Sequence, residues 1–209
     1  MKTLARVQRG LEALYRLDTG LDVHEFLVGA DIRDELVSTR RPKEQLLVCE
    51  EGGEMSLALF IDQSVLDNLA NHQRLDSKNF GDFILAVEGV SHFIYTICCA
   101  RAERPVSQLE LELQAEVDKY VTCLLATAPE TDVSQALRHR LFEEPAYEPD
   151  LDEDESERYR AANDNALRYT SFLHDQFVAR RKIPEMLVEL RRFYRQGLAA
   201  KLSMIARAA

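Results

Sequence analysis

Residues 83–100 read FILAVEGVSHFIYTICCA, and any fold of this chain has to hide them. Within that run only Glu88 and His92 carry side chains that charge near neutral pH, and they stand four positions apart. On a helix of about 3.6 residues per turn the two lie one above the other on a single face. Phe83, Ile84, Val87, Ser91, Ile94 and Cys98 form one stripe, and Val90, Phe93 and Ile97 widen it over most of the circumference. Such a helix is buried on nearly every side. A carboxylate and an imidazole carried inside with it need partners, because an unpaired buried charge costs on the order of several kcal/mol or more.

The run just reaches the length of a bilayer span, but a Glu and a His near its middle are costly in lipid. Ser77–Asp82 looks like a helix start, and Arg101, Glu103 and Arg104 close the run in mixed charge. The expectation is the core helix of a soluble domain, with no membrane contact. With 46% apolar and 30% charged residues, the 209-residue chain is globular, not disordered, and long enough for a sizeable core. Its four cysteines, Cys49, Cys98, Cys99 and Cys123, contain no CxxC pair. Adjacent helical positions point about 100° apart, so Cys98 and Cys99 are not a natural disulfide. Reduced thiols in the cytoplasm are the expectation. The opening MKTLARVQRGLEALYR alternates basic and apolar residues and lacks the continuous apolar core of a secretion signal.

Helical spacing of Leu4, Val7, Leu11 and Leu14 predicts an amphipathic helix over 3–17. Asp22 can cap a short helix through His24, Phe26 and Leu27, with a further turn from Ile32 to Val37. Residues 45–61 change period: two apolar runs flank Glu51-Gly52-Gly53-Glu54, a tight-hairpin signal. Asp62 or Ser64 then caps a short helix bearing Val65, Leu66 and Leu69. After the central helix, Arg104-Pro105 breaks the chain, and Ser107 with Glu110 reads as a capping box for the next helix. Its LELEL opening would also suit a strand, but the run continues at helical period to Leu125. A short helix follows from Ser134 through Leu141, and two more close the chain, over 158–182 and from Pro184 through Ile205. The fold class is mainly α: a bundle-like helical domain with one inserted β-hairpin. Residues 1–142 form its helical body, 143–157 an acidic loop, and 158–209 a basic helical pair packed on the first part.

Charge is unevenly spread. Eleven Lys and Arg against four Asp and Glu leave 158–209 at +7, so with a total of −10 the remainder carries −17. Arg191, Arg192, Arg195 and Lys201 follow one another on the last helix and could hold an anion or an acidic partner. The acidic loop, with nine carboxylates, is expected to fold over them. The acidic remainder and the absence of a binding motif argue against nucleic acid.

The second candidate site lies on the central helix and its successor. Glu88 and His92 on one, with Glu112 and Glu116 on the other, could hold a divalent metal or run acid–base chemistry if the two helices face each other. The spacing matches neither HExxH nor the Glu-x2-His pattern of di-iron bundles. A buried structural pair is the plainer alternative. The chain has no Gly-rich phosphate loop, no GxSxG and no zinc-type Cys/His spacing. His24, His72, His139 and His174 are expected at helix ends or on the surface. From sequence, the favoured function is a cytoplasmic interaction or adaptor protein with a protein partner and without catalysis. The alternative is a metal-binding protein or metal-dependent enzyme built on the Glu/His cluster.

Overall fold

A computed structural model of the protein describes residues 2–36, 42–72, 75–127, 129–145 and 151–208. Its helices and strands run in the order α1 (Lys2–Tyr15), β1 (Leu27–Val28), α2 (Ala30–Leu36), β2 (Glu44–Glu51), β3 (Glu54–Ile61), α3 (Gln63–Asn71), α4 (Phe80–Arg101), α5 (Gln108–Ala126), α6 (Thr131–Arg138), α7 (Glu153–Leu173), α8 (Ile183–Tyr194) and α9 (Leu198–Ala208). This is the mainly helical domain with an inserted β element that the sequence predicts.

The apolar run of the sequence is α4. Val87, Val90 and Phe93 are fully buried in it, and α1, α3, α5 and both long strands pack around it. It is long and apolar enough to cross a membrane, yet 72% of that apolar window is buried inside the fold. Each large side chain taken from water there contributes about 1.5–3 kcal/mol, so α4 is the element on which the others condense. Glu103 ends it with a left-handed φ of 49°, and Pro105 prevents continuation. α5 then returns alongside, started by Ser107, whose Oγ accepts the Glu110 N–H. Only that half of the capping box forms. The Glu110 carboxylate instead turns inward, accepting from the Tyr95 hydroxyl at 2.6 Å and pairing with Arg104 at 2.7 Å. The LELEL stretch is helical.

The hairpin turns on Gly52 and Gly53 with φ of 63° and 85°, the double positive φ that a two-residue type I′ turn requires. That turn sets Glu51 opposite Glu54 and therefore Glu44 opposite Ile61. A short parallel strand, β1, adds on the far side of β3, giving the order β1-β3-β2. The sequence reading placed Leu27 in a short helix. Asp22 does cap a single 3-10 turn, Val23–Phe26, but Leu27 and Val28 leave it to pair with Leu59 and Phe60.

Three expectations change at the carboxy-terminal end. Glu153–Glu157 belong to α7, because Asp152 and Glu155 form a capping box and carboxylates suit the positive end of a helix. Residues 146–150 of the predicted acidic loop lie outside the described residues. The predicted last helix is two, α8 and α9, separated at Gly197, and the Leu198 N–H that opens α9 donates to Glu110 at 3.1 Å. His174 is buried, not superficial: its Nδ1 meets the Ser134 hydroxyl at 2.8 Å, and that hydroxyl also meets Tyr120.

Ile94 sits at 1% exposure in the centre of α4. Ile94→Ala is expected to lower stability by about 2–5 kcal/mol, read from denaturant titration, through lost burial and a residual cavity. Ile94→Asp is expected to abolish cooperative unfolding altogether. A soluble Asp variant with an unchanged melting curve would show that α4 is not the core.

Candidate metal centre

α4 and α5 are antiparallel neighbours, and β2 crosses α4 at Gly89. A Cβ at that glycine would lie 2.9 Å from both Cγ and Oε1 of Glu44 and 3.1 Å from Leu59, so only glycine lets the hairpin approach this closely. The approach delivers a third acidic element to the Glu88/His92 face of α4. Glu44, 9% exposed, shares the buried face of the hairpin with Leu59 and Ile61.

His92 stands between two carboxylates. Its Nδ1 is 3.7 Å from Glu44 Oε1, and its Nε2 is 3.6 Å from Glu112 Oε2. Both separations exceed hydrogen-bond length. Accordingly, Glu44 Oε1 and His92 Nε2 are buried without a hydrogen-bond partner among the described residues. Glu88, His92 and Glu112 each present one ligand atom, and these atoms lie within 4.8 Å of one another. Glu116 completes the group from one step away: Lys119 Nζ meets Glu116 at 2.6 Å and Glu88 at 3.2 Å. All four residues predicted from sequence therefore converge, and Glu44 and Lys119 join them.

The electrostatics follow from the count. Four carboxylates, Glu44, Glu88, Glu112 and Glu116, face His92 and Lys119, with Arg158 acting on Glu112 from further off, so positive charge falls short by one even with His92 protonated. Burial alone would push His92 down, but Glu112 and Glu44 outweigh it and hold the imidazole well above its usual range. Burial raises Glu44, His92 partly offsets it, and neighbouring Glu88 and Glu112 add to the rise, so its carboxyl is pushed up to about 7. Burial likewise raises Glu116 despite Lys119. Glu112 goes the other way: against its burial, His92, Lys119 and Arg158 hold it ionised. The rise at Glu44 and Glu116 reflects the mutual repulsion and burial of these carboxylates.

The basic candidates do not gather into one anion site. Arg191 Nε donates to the Leu14 carbonyl at 2.7 Å and Arg195 Nη2 to the Tyr15 carbonyl at 3.1 Å, so both close the carboxy-terminal end of α1. Arg192 pairs on the surface with Glu189 at 3.1 Å. Lys201 is wholly buried, its Nζ donating to Gln114 at 2.6 Å beneath the Tyr95 and Phe193 rings. Of the predicted acidic loop, Glu143 pairs with His139 and Glu155 lies near Arg158.

Lys201 belongs to a second buried polar group with a different character. Asp118 accepts from Ser91 at 2.6 Å, from Gln114 at 2.9 Å and from the Tyr15 hydroxyl, and Gln114 in turn accepts from Lys201. Each of these side chains has its partner, so this network is structural, a link joining α1, α4, α5 and α9. Sequence reasoning missed it because Ser91, Gln114 and Asp118 are ordinary helix residues until packing sets them face to face.

Comparison of the chain with protein-family models, with curated proteins and with solved structures finds no match in any of the three. Fold and site together define the class: a mainly helical domain with a buried carboxylate–histidine cluster at the junction of two helices and a hairpin.

Two outcomes are expected from this geometry. Gly89→Ala, which in an open helix would gain up to about 1 kcal/mol, should instead destabilise, because the methyl group displaces Glu44 and Leu59. A stabilised variant in urea titration would show that β2 does not pack there. Lys201 is lowered by burial, partly offset by Glu110 and Asp118, to about 7, against an ordinary value of 10.5. The unfolded chain therefore binds a proton that the folded one lacks between pH 7 and 10.5, so this site's contribution to stability rises with pH across that window. Calorimetric melting should show that rise in the native protein and its loss in Lys201→Met; parallel pH profiles would contradict it.

Proposed function

We propose that this protein binds one divalent transition metal at Glu88, His92 and Glu112, with Glu44 behind the imidazole. The observation that carries the reading is the orphaned His92 Nε2, buried within ligand distance of two carboxylates in a site with too little positive charge. Two ligands on one ion with bonds of about 2.1 Å lie about 3–3.5 Å apart, close to the His92–Glu112 spacing. A carboxylate at the second imidazole nitrogen is the usual partner that fixes a metal-bound histidine, and Glu44 stands there. One nitrogen with carboxylate oxygens suits manganese, iron or zinc better than a thiolate-seeking ion. Lys119 holds Glu116 and one oxygen of Glu88, so these balance charge at the rim. The interaction-protein reading rests on the missing catalytic motifs, the charge asymmetry and the acidic loop; three of the four basic residues it names for a partner, Arg191, Arg195 and Lys201, are engaged within the fold, which weakens it.

Elemental analysis of protein purified without chelator or affinity metal should find about one ion per chain. His92→Ala and Glu112→Gln should lose it while still folding. Metal at about 100 times its Kd should stabilise the native protein by about 2.7 kcal/mol and leave the two variants unshifted. No metal in the native protein and no thermal shift with manganese, iron, cobalt or zinc would overturn the proposal.

A further inference from the structure

Lysine is almost never buried unless it is paired, and Lys119, only 7% exposed, is paired twice. Its Nζ lies 2.6 Å from Glu116 Oε1 and 3.2 Å from Glu88 Oε2. Glu88 also presents a ligand atom within 4.8 Å of those of His92 and Glu112. One carboxylate therefore stands between the proposed ion and a fixed ammonium. In a two-metal site a carboxylate stands in the same way between two ions about 3.5–4 Å apart. Glu116 is the further ligand that a second ion would take, and Lys119 already holds it.

The charges point the same way. A metal-bound imidazole is neutral, so His92 drops out of the balance once an ion is bound. One divalent ion, Lys119 and the more distant Arg158 then supply as many positive charges as there are carboxylates. A second divalent ion beside Lys119 would leave two positive charges unopposed where water is largely excluded, a costly state.

We propose that Lys119 is the built-in second cation of a two-cation carboxylate centre and limits that centre to one metal ion. The inference rests on the metal reading and names the residue that sets its stoichiometry. A compact ammonium neutralises Glu88 and Glu116 as an ion would, but it is not a Lewis acid and coordinates no water. The centre therefore offers the chemistry of a single ion, which polarises or activates one bound group, and not the paired clamp of a two-metal site.

Manganese is the probe, counted by elemental analysis and read by electron paramagnetic resonance on the full-length chain. In excess manganese the native protein should hold one ion with the spectrum of an isolated centre. Lys119→Met, of similar length but uncharged, should hold two ions magnetically coupled through Glu88. Lys119→Met combined with Glu116→Gln should return to one. Both variants are folded in the presence of manganese, so a chain that needs its ions to fold still reports its count. One ion in Lys119→Met would overturn the inference and leave the metal reading standing, as would two coupled ions in the native protein. Failure of Lys119→Met to fold with manganese, while the double variant folds, would also overturn it, since an ion could not then replace the ammonium. Absence of any bound ion in the native protein would overturn this inference together with the metal reading.

Discussion

The arrangement of this protein depends on a charge imbalance held inside a helix junction. Four carboxylates from β2, α4 and α5 meet where water is largely excluded, and His92, Lys119 and the more distant Arg158 oppose them. Like charges in a poorly screened setting repel strongly, and a fold keeps them together only if protons, ions or the rest of the core offset the repulsion. Apolar burial on α4 supplies much of that offset, and the raised Glu44 carboxyl supplies more. A domain whose only need was stability would do better with apolar residues at these positions, because a well-packed core matches or exceeds a buried ion cluster.

The second polar network shows what the same chain does when the purpose is structural. Around Asp118, hydroxyl, amide and ammonium groups each find a partner at ordinary length. Around His92 the separations are longer and polar atoms go unanswered. One set of helices carries both groups, so the difference is not loose packing in general. On the proposed reading, a metal ion completes the bonding at the His92 end.

Much of this was legible in the sequence. The apolar wrap of residues 83–100 identified the core helix, and the four-residue spacings of Glu88/His92 and Glu112/Glu116 put each pair on one face. The inserted hairpin followed from Gly52-Gly53. Glu44 was missed, although its signal was present. A two-residue turn fixes the register, Glu44 must then oppose Ile61, and alternation places it on the buried face with Leu46. Lys201 and the arginines of α8 misled for the converse reason. Local spacing cannot show that a cation is taken up by distant backbone carbonyls, as Arg191 and Arg195 are by the end of α1. The break at Gly197 and the inward turn of Glu110 likewise depend on each other across a long sequence separation, and no local pattern reports such a contact.

The most direct measurement of the central claim is anomalous X-ray diffraction from crystals of the protein grown with manganese or zinc, collected at the absorption edge of the metal. The account predicts one strong anomalous peak about 2.0–2.2 Å from His92 Nε2 and from oxygens of Glu88 and Glu112, with Glu44 hydrogen-bonded to the other imidazole nitrogen. A map without a peak there, with His92 instead directly hydrogen-bonded to Glu112 and Glu44, would contradict it and make the cluster a structural ion network.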